Sequence, residues 1–195
     1  MKKLNRRDFL KLSGAALVVV SLAACSDAPN VPAPPAPSTG KELPLLEAIN
    51  KVWKDYHAAN KVTHEQLVYT TDGVGYLSAQ AIVFVEDQTT TFKLTDENRG
   101  RVAKAGFFDA SDALIKKYGE DSAVRIAGIS EPSTEGNMVS LTSPYSCEDA
   151  DVRKFVDELL NLNTNSPKAE FISIYCPVIN GTTYMTALPI KKNKA

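Results

Sequence analysis

Sixteen residues, Ser26 to Lys41, divide this chain before any fold is considered. The stretch SDAPNVPAPPAPSTGK holds prolines at positions 29, 32, 34, 35 and 37 and almost nothing able to bury apolar surface. A run of this kind favours extended polyproline geometry, about 3 Å per residue, and behaves as a semi-rigid spacer. A proline-rich recognition motif is the alternative reading. Whatever packs a core must therefore come from residues 42–195, which make one α+β domain of ordinary size.

The residues ahead of the spacer have a different character. MKKLNRRDFLKLSGAALVVVSLAAC opens with Lys2, Lys3, Arg6, Arg7 and Lys11, continues through an apolar run from Ala15 to Val20, and closes on Leu22-Ala23-Ala24-Cys25. The apolar run is too short to cross a bilayer as a helix, which takes about 20 residues. A basic start, a short apolar run and small residues before a cleavage point are features that export machinery reads. The stretch resembles a bacterial twin-arginine export signal, S/T-R-R-x-F-L-K, carried here by Arg6, Arg7, Phe9, Leu10 and Lys11, with Asn5 where the family has Ser or Thr. It is followed by a lipobox, L-A-A-C.

The resemblance implies that residues 1–24 are a signal peptide and that Cys25 becomes a lipidated N-terminus, with palmitate-type acyl chains anchoring the protein to a membrane. Each buried CH₂ contributes about 0.8 kcal/mol, and two or more chains hold stably. It also implies a cell-envelope, extracytoplasmic location such as the periplasm, on either the inner or the outer membrane. The signal stretch holds five basic residues and one acidic one, so the remaining 171 residues carry about −5 against −1 for the whole chain. That balance argues against nucleic acid as a partner, which needs a basic surface.

Within the domain, Leu45, Leu46, Ile49, Val52, Trp53 and Tyr56 recur at three- and four-residue spacing, predicting an amphipathic helix over 42–60. Thr63-x-x-Gln66 offers a capping box that could restart it. Strands are predicted at Leu67–Thr71, Ala79–Glu86 and Thr89–Leu94, with Asp72-Gly73 turning between the first two. Helices are expected over Asp96–Ala105 and over Asp112–Tyr118, the latter capped by Ser111 or Asp109 and stopped at Gly119. Ala123–Gly128 reads as a strand with Arg125 in its middle, Ser130–Asn137 as a loop and Met138–Thr142 as a further strand. Ser146 caps a helix with Asp149 at capping-box distance and Val152, Phe155, Val156, Leu159 and Leu160 on its apolar face. The chain then alternates over Glu170–Val178, turns at Asn180-Gly181 and returns over Thr182–Ile190. Interspersed strands and helices with a terminal hairpin predict an α+β domain around an antiparallel sheet.

Candidate chemistry is sparse. Cys147 and Cys176 form an isolated pair, which in an oxidising compartment is most simply a disulfide closing a loop of roughly 30 residues, worth about 3–4 kcal/mol in the loop-entropy view. Two separate buried thiols are the alternative, and no C-x-x-C spacing favours a redox pair. His57 and His64 stand about 10 Å apart by helical rise, too far to share one metal, and read as exposed or capping residues. No G-x-S-x-G, H-E-x-x-H or haem-attachment motif is present, and Gly73 and Gly75 lack a dinucleotide spacing. No catalytic residue, metal ligand or cofactor is assigned. The acidic pairs Asp109/Asp112 and Glu120/Asp121 flank a predicted helix and fit capping roles. Arg125, between apolar neighbours, needs an acidic partner or an anionic ligand if it points inward; the solvent face of a half-exposed sheet is the other reading. Tyr175 and Tyr184 could line the same face or pack beneath it.

The stretches AVRIAGISEPSTEGN and EFISIYCPVINGTTYMTALPI, together with the element order, are similar to extracytoplasmic PAS/Cache sensor domains. That resemblance implies a small-molecule pocket on the sheet face, with Arg125, Tyr175 and Tyr184 as ligand-binding residues. The functional expectation is a lipid-anchored domain that binds a small, anionic ligand or a partner protein. The alternatives are an envelope hydrolase or redox accessory using His57 or His64, and a structural or interaction lipoprotein without a pocket.

Overall fold

A computed structural model describes residues 39–119, 125–130, 132 and 136–192. The export signal, Cys25 and most of the spacer lie outside the described residues, as do Glu120, Asp121 and the start of the strand expected from Ala123.

The fold is α+β, as the pattern of elements predicts. In chain order it runs α1 (Glu42–Ala58), β1 (Val68–Tyr69), α2 (Val74–Asp87), β2 (Thr91–Lys93), α3 (Asp96–Lys104), α4 (Phe107–Tyr118), β3 (Met138–Ser140), α5 (Asp149–Asn161), a 3₁₀ turn at Ser166–Lys168, β4 (Phe171–Tyr175), β5 (Val178–Ile179), β6 (Thr182–Thr183) and β7 (Thr186–Ile190). The central sheet has order β1-β4-β7: β1 pairs parallel to β4, and β4 pairs antiparallel to β7 with Tyr175 opposite Thr186 and Phe171 opposite Ile190.

Alternation along β4 and β7 sends side chains to two different cores. Ile172, Ile174 and Ala187 join Leu45, Ile49, Trp53, Val152, Phe155 and Leu159 of α1 and α5. Phe171, Tyr175, Leu188 and Ile190 face the other way, toward Leu77, Val83 and Phe84 of α2 and the residues of α4. Both faces of the sheet are thus covered by helices.

The run Ala79–Glu86 belongs to α2, correcting the strand expected there. Tyr76, Leu77, Ala79, Ala81, Val83 and Phe84 are all buried. The helix packs against β4, β7, β2, α3 and α4 at once. A helix buried on most sides loses its amphipathic period, and a short β-branched run then looks like an inner strand. Asp72-Gly73 accordingly leads into α2. Its far end is clamped by Arg101 of α3, whose guanidinium donates to Glu86 and Asp87 at 2.7–3.0 Å.

Other boundaries shift for local reasons. α1 ends at Ala58, with Asn60 left-handed (φ 57°), and residues 61–66 form bends in place of the restarted helix. α4 begins at Phe107 after left-handed Gly106, so Ser111 is a buried mid-helix residue and Asp109 lies in the first turn, neither acting as the cap. Its stop at Gly119 is as expected. Ser146 Oγ accepts from the Glu148 N–H at 3.1 Å, closing a turn ahead of α5, which starts only at Asp149. Of the strand expected over 123–128, the described part is a single bridge from Ala127 to Ala187. Gly128 ends it: its φ is +86°, and an added Cβ would lie 1.9 Å from the Met185 carbonyl oxygen.

The terminal hairpin is present but interrupted. Asn180 (φ 49°) and Gly181 (φ 77°) form the two-residue loop between β5 and β6, the left-handed pair that this turn requires. The ladder then breaks before resuming as β4 and β7, and there Pro144 bridges to Tyr184.

Candidate functional site

A grouping of reactive side chains lies where the described residues of the domain begin. Glu42, in the first turn of α1, is only 5% exposed, and its carboxylate accepts from the Thr39 N–H and hydroxyl at 3.1 and 3.2 Å. Lys41 beside it reaches across the sequence: Nζ donates to Thr183 Oγ1 at 2.9 Å and sits 4.8 Å over the Tyr145 ring. The Tyr145 hydroxyl in turn contacts the Lys41 carbonyl at 3.3 Å and Cys147 Sγ at 3.2 Å. The Tyr145 N–H donates to the Thr183 carbonyl at 2.9 Å, fixing this loop against β6.

Cys147 and Cys176 both border this grouping as free thiols, Cys147 exposed and Cys176 buried. The disulfide expected from the sequence is not formed in this structure. Burial is the main cause that pushes the Cys176 thiol up to about 12, reinforced by the Glu42 carboxylate and Cys147 and opposed by Lys41. Burial also raises Tyr145, with its Cys147 contact second, and raises Tyr69 and Tyr175, which both feel Glu42 and Cys176. The region therefore resists a further negative charge beyond Glu42. Its buried thiol is a weak nucleophile as it stands, whereas Cys147 is open to reagents.

A second polar centre joins α2's approach to α4. Asp72 accepts from Thr70 Oγ1 and Lys117 Nζ, both at 2.7 Å, and from the Tyr118 hydroxyl. Burial would raise this carboxyl, but the three donors outweigh it and hold Asp72 at about 2. With every donor intramolecular, the carboxylate acts as a structural hub.

The residues expected to bind a ligand are not brought together on an open sheet face. Tyr175 is 7% exposed and lies inside the α2-side core. Tyr184 is half-buried at the ladder break, packed against the same core. Arg125 is half-buried just ahead of the Ala127 bridge and is not a free cation. Nearby, Glu158 of α5 accepts from the Gly128 N–H at 2.8 Å and from Ser143 at 3.4 Å. His64 Nε2 stands 3.9 Å from Glu170, both side chains more than a third exposed, while the His64 carbonyl accepts from Trp53 Nε1 at 3.0 Å. His57 is in the last turn of α1.

Among the described residues, no group of three or more His, Cys, Asp or Glu is placed to hold a metal ion. Also among these residues, no helix is long and apolar enough to cross a membrane. Compared with known proteins, the chain matches no family model, no curated protein and no solved structure.

Proposed function

We propose that this chain is a membrane-anchored envelope lipoprotein whose α+β domain, carried on the proline-rich spacer, binds a partner protein through its outer surface. The observation that carries this reading is the seating of the chain at the end of the spacer. Lys41 and Glu42 are fastened to Thr183, Tyr145 and Thr39 at the first residues of the folded domain. A spacer joined to a domain through such contacts suits a stalk that positions a folded head.

The surface is favoured over the sheet face because helices cover both sides of β4 and β7 and Tyr175 is inside. The acidic balance of the mature chain, about −5, favours a partner with a basic surface.

Fractionation of the native host tests the address. Cys25→Ala should release the protein from membranes, and retention would overturn the lipid anchor. Crosslinking and native mass spectrometry on protein purified from that host test the binding mode. A specific protein adduct is expected. A stoichiometric small molecule without a protein partner would overturn the reading.

A further inference from the structure

From their positions around Tyr145, we infer that Cys147 and Cys176 form a reversible thiol pair in which exposed Cys147 is attacked first and buried Cys176 resolves it. Three independent placements carry this. Cys147 is exposed on the turn leading into α5, where a disulfide-containing reagent or protein can reach it. Cys176 is fully buried just past the end of β4, on the α1/α5 side of the sheet. Tyr145 neighbours both: its hydroxyl contacts Cys147 Sγ at 3.2 Å, its backbone is tied to Thr183 of β6, and its ring packs against the core that holds Cys176. Residues 184–185 are hydrogen-bonded on one side to Pro177, next to Cys176, and on the other to Ser143, near Tyr145: Tyr184 N–H donates to the Pro177 carbonyl and Met185 N–H to the Ser143 carbonyl. The proposed bond would form by movement of the exposed 146–148 turn toward buried Cys176.

The chemistry balances with a small-molecule or protein disulfide as oxidant. The Cys147 thiolate attacks one sulfur of the oxidant, whose S–S bond breaks and releases one thiol carrying the proton given up by Cys147. Cys176 then loses its proton and displaces the second thiol, forming the Cys147–Cys176 bond. Both cysteines are oxidised together by two electrons, and one external disulfide is reduced to two thiols. The buried state of Cys176 makes the second step slow until the turn closes. Oxidation ties the head of α5 to the end of β4, next to the Lys41–Thr183 contact, and stiffens the point where the spacer joins the domain.

The identity of the physiological oxidant rests on the extracytoplasmic address proposed above; the reactivity of the pair does not. The test uses the full mature chain in a Cys25→Ala background, so that Cys147 and Cys176 are its only thiols, purified reduced and titrated with oxidised glutathione, with intact mass and peptide mapping under alkylation. The wild type should lose two hydrogens and keep no glutathione. Cys176→Ala should accumulate a glutathione adduct at Cys147, and Cys147→Ser should leave Cys176 unmodified over the same period. A stable adduct on the wild type, equal reactivity of Cys176 in Cys147→Ser, or no oxidation at all would each overturn the inference. A midpoint of thermal unfolding that does not rise on oxidation would overturn the stiffening. Membrane fractionation of the Cys25→Ala protein reads the address separately, so the two failures are distinguishable.

Discussion

Gly73 and Ser173, a hundred residues apart in sequence, meet through a buried hydrogen bond of 2.9 Å from the Gly73 N–H to the Ser173 hydroxyl. The same hydroxyl donates to the Thr70 carbonyl at 2.7 Å, so one β4 side chain fixes both ends of the turn that starts α2. A Cβ at Gly73 would sit 2.7 Å from Ser173 Oγ and 2.9 Å from Leu188 Cδ2. Gly73→Ala is expected to cost about 2–4 kcal/mol, and Ser173→Ala, which strands a donor and an acceptor, about 1–3 kcal/mol. Urea unfolding checks both, and a Gly73→Ala protein of wild-type stability would refute the close contact.

Asp72 gives the domain an acid limb. Its carboxyl is held at about 2 against an ordinary 3.8 by Lys117, Tyr118 and Thr70, which overcome its burial. The stabilisation is complete above the ordinary value and drains away as pH falls toward the lowered one. After discount for partial exposure it amounts to about 1–2 kcal/mol. Asp72→Asn should be less stable than wild type at neutral pH and should show a shallower loss across that acid window, measured by thermal unfolding against pH.

Gly128 cannot be replaced. Any β-carbon would press into the Met185 carbonyl, and the positive φ is already costly for an L side chain. Gly128→Ala should lose more than about 3 kcal/mol and fail to give soluble protein, or unfold far below wild type in a thermal melt.

The burial of α2 is tested at Phe84, which is fully buried and meets Phe92 edge-on at 4.8 Å between ring centroids. Phe84→Ala is expected to cost about 3–5 kcal/mol and Phe84→Leu distinctly less. Circular dichroism before unfolding separates lost stability from a lost helix.

The elements whose pattern was legible are those with one wet side. α1 and α5 keep an exposed face opposite Trp53 and Phe155, so their three-and-four spacing shows through, and Asn180-Gly181 announces its own turn. α2 was misread because neighbours surround it and remove the periodicity. Of the strand expected at Arg125, only the Ala127–Ala187 bridge falls among the described residues, and the close approach of Gly128 to the Met185 carbonyl, 57 residues on, is invisible to local spacing. The site had the same character: Cys147 and Cys176 stood out in sequence, but nothing in their spacing told that one is exposed and the other buried. Nor could it bring Lys41 to Tyr145 and Thr183, since those contacts exist only once the terminal hairpin docks beside α1.

The fastening of Lys41 also sets where a pull on the spacer would enter the fold. α1 extends about 26 Å from that end to Ala58, so the Asn60–Lys61 corner lies at the far end of the helix from the Lys41–Thr183 contact. Under the lipid anchor proposed above, the spacer enters the domain at the Lys41–Thr183 contact. Tension along the spacer would load the Lys41–Thr183 clasp first and reach the β4–β7 ladder only after that clasp gives way.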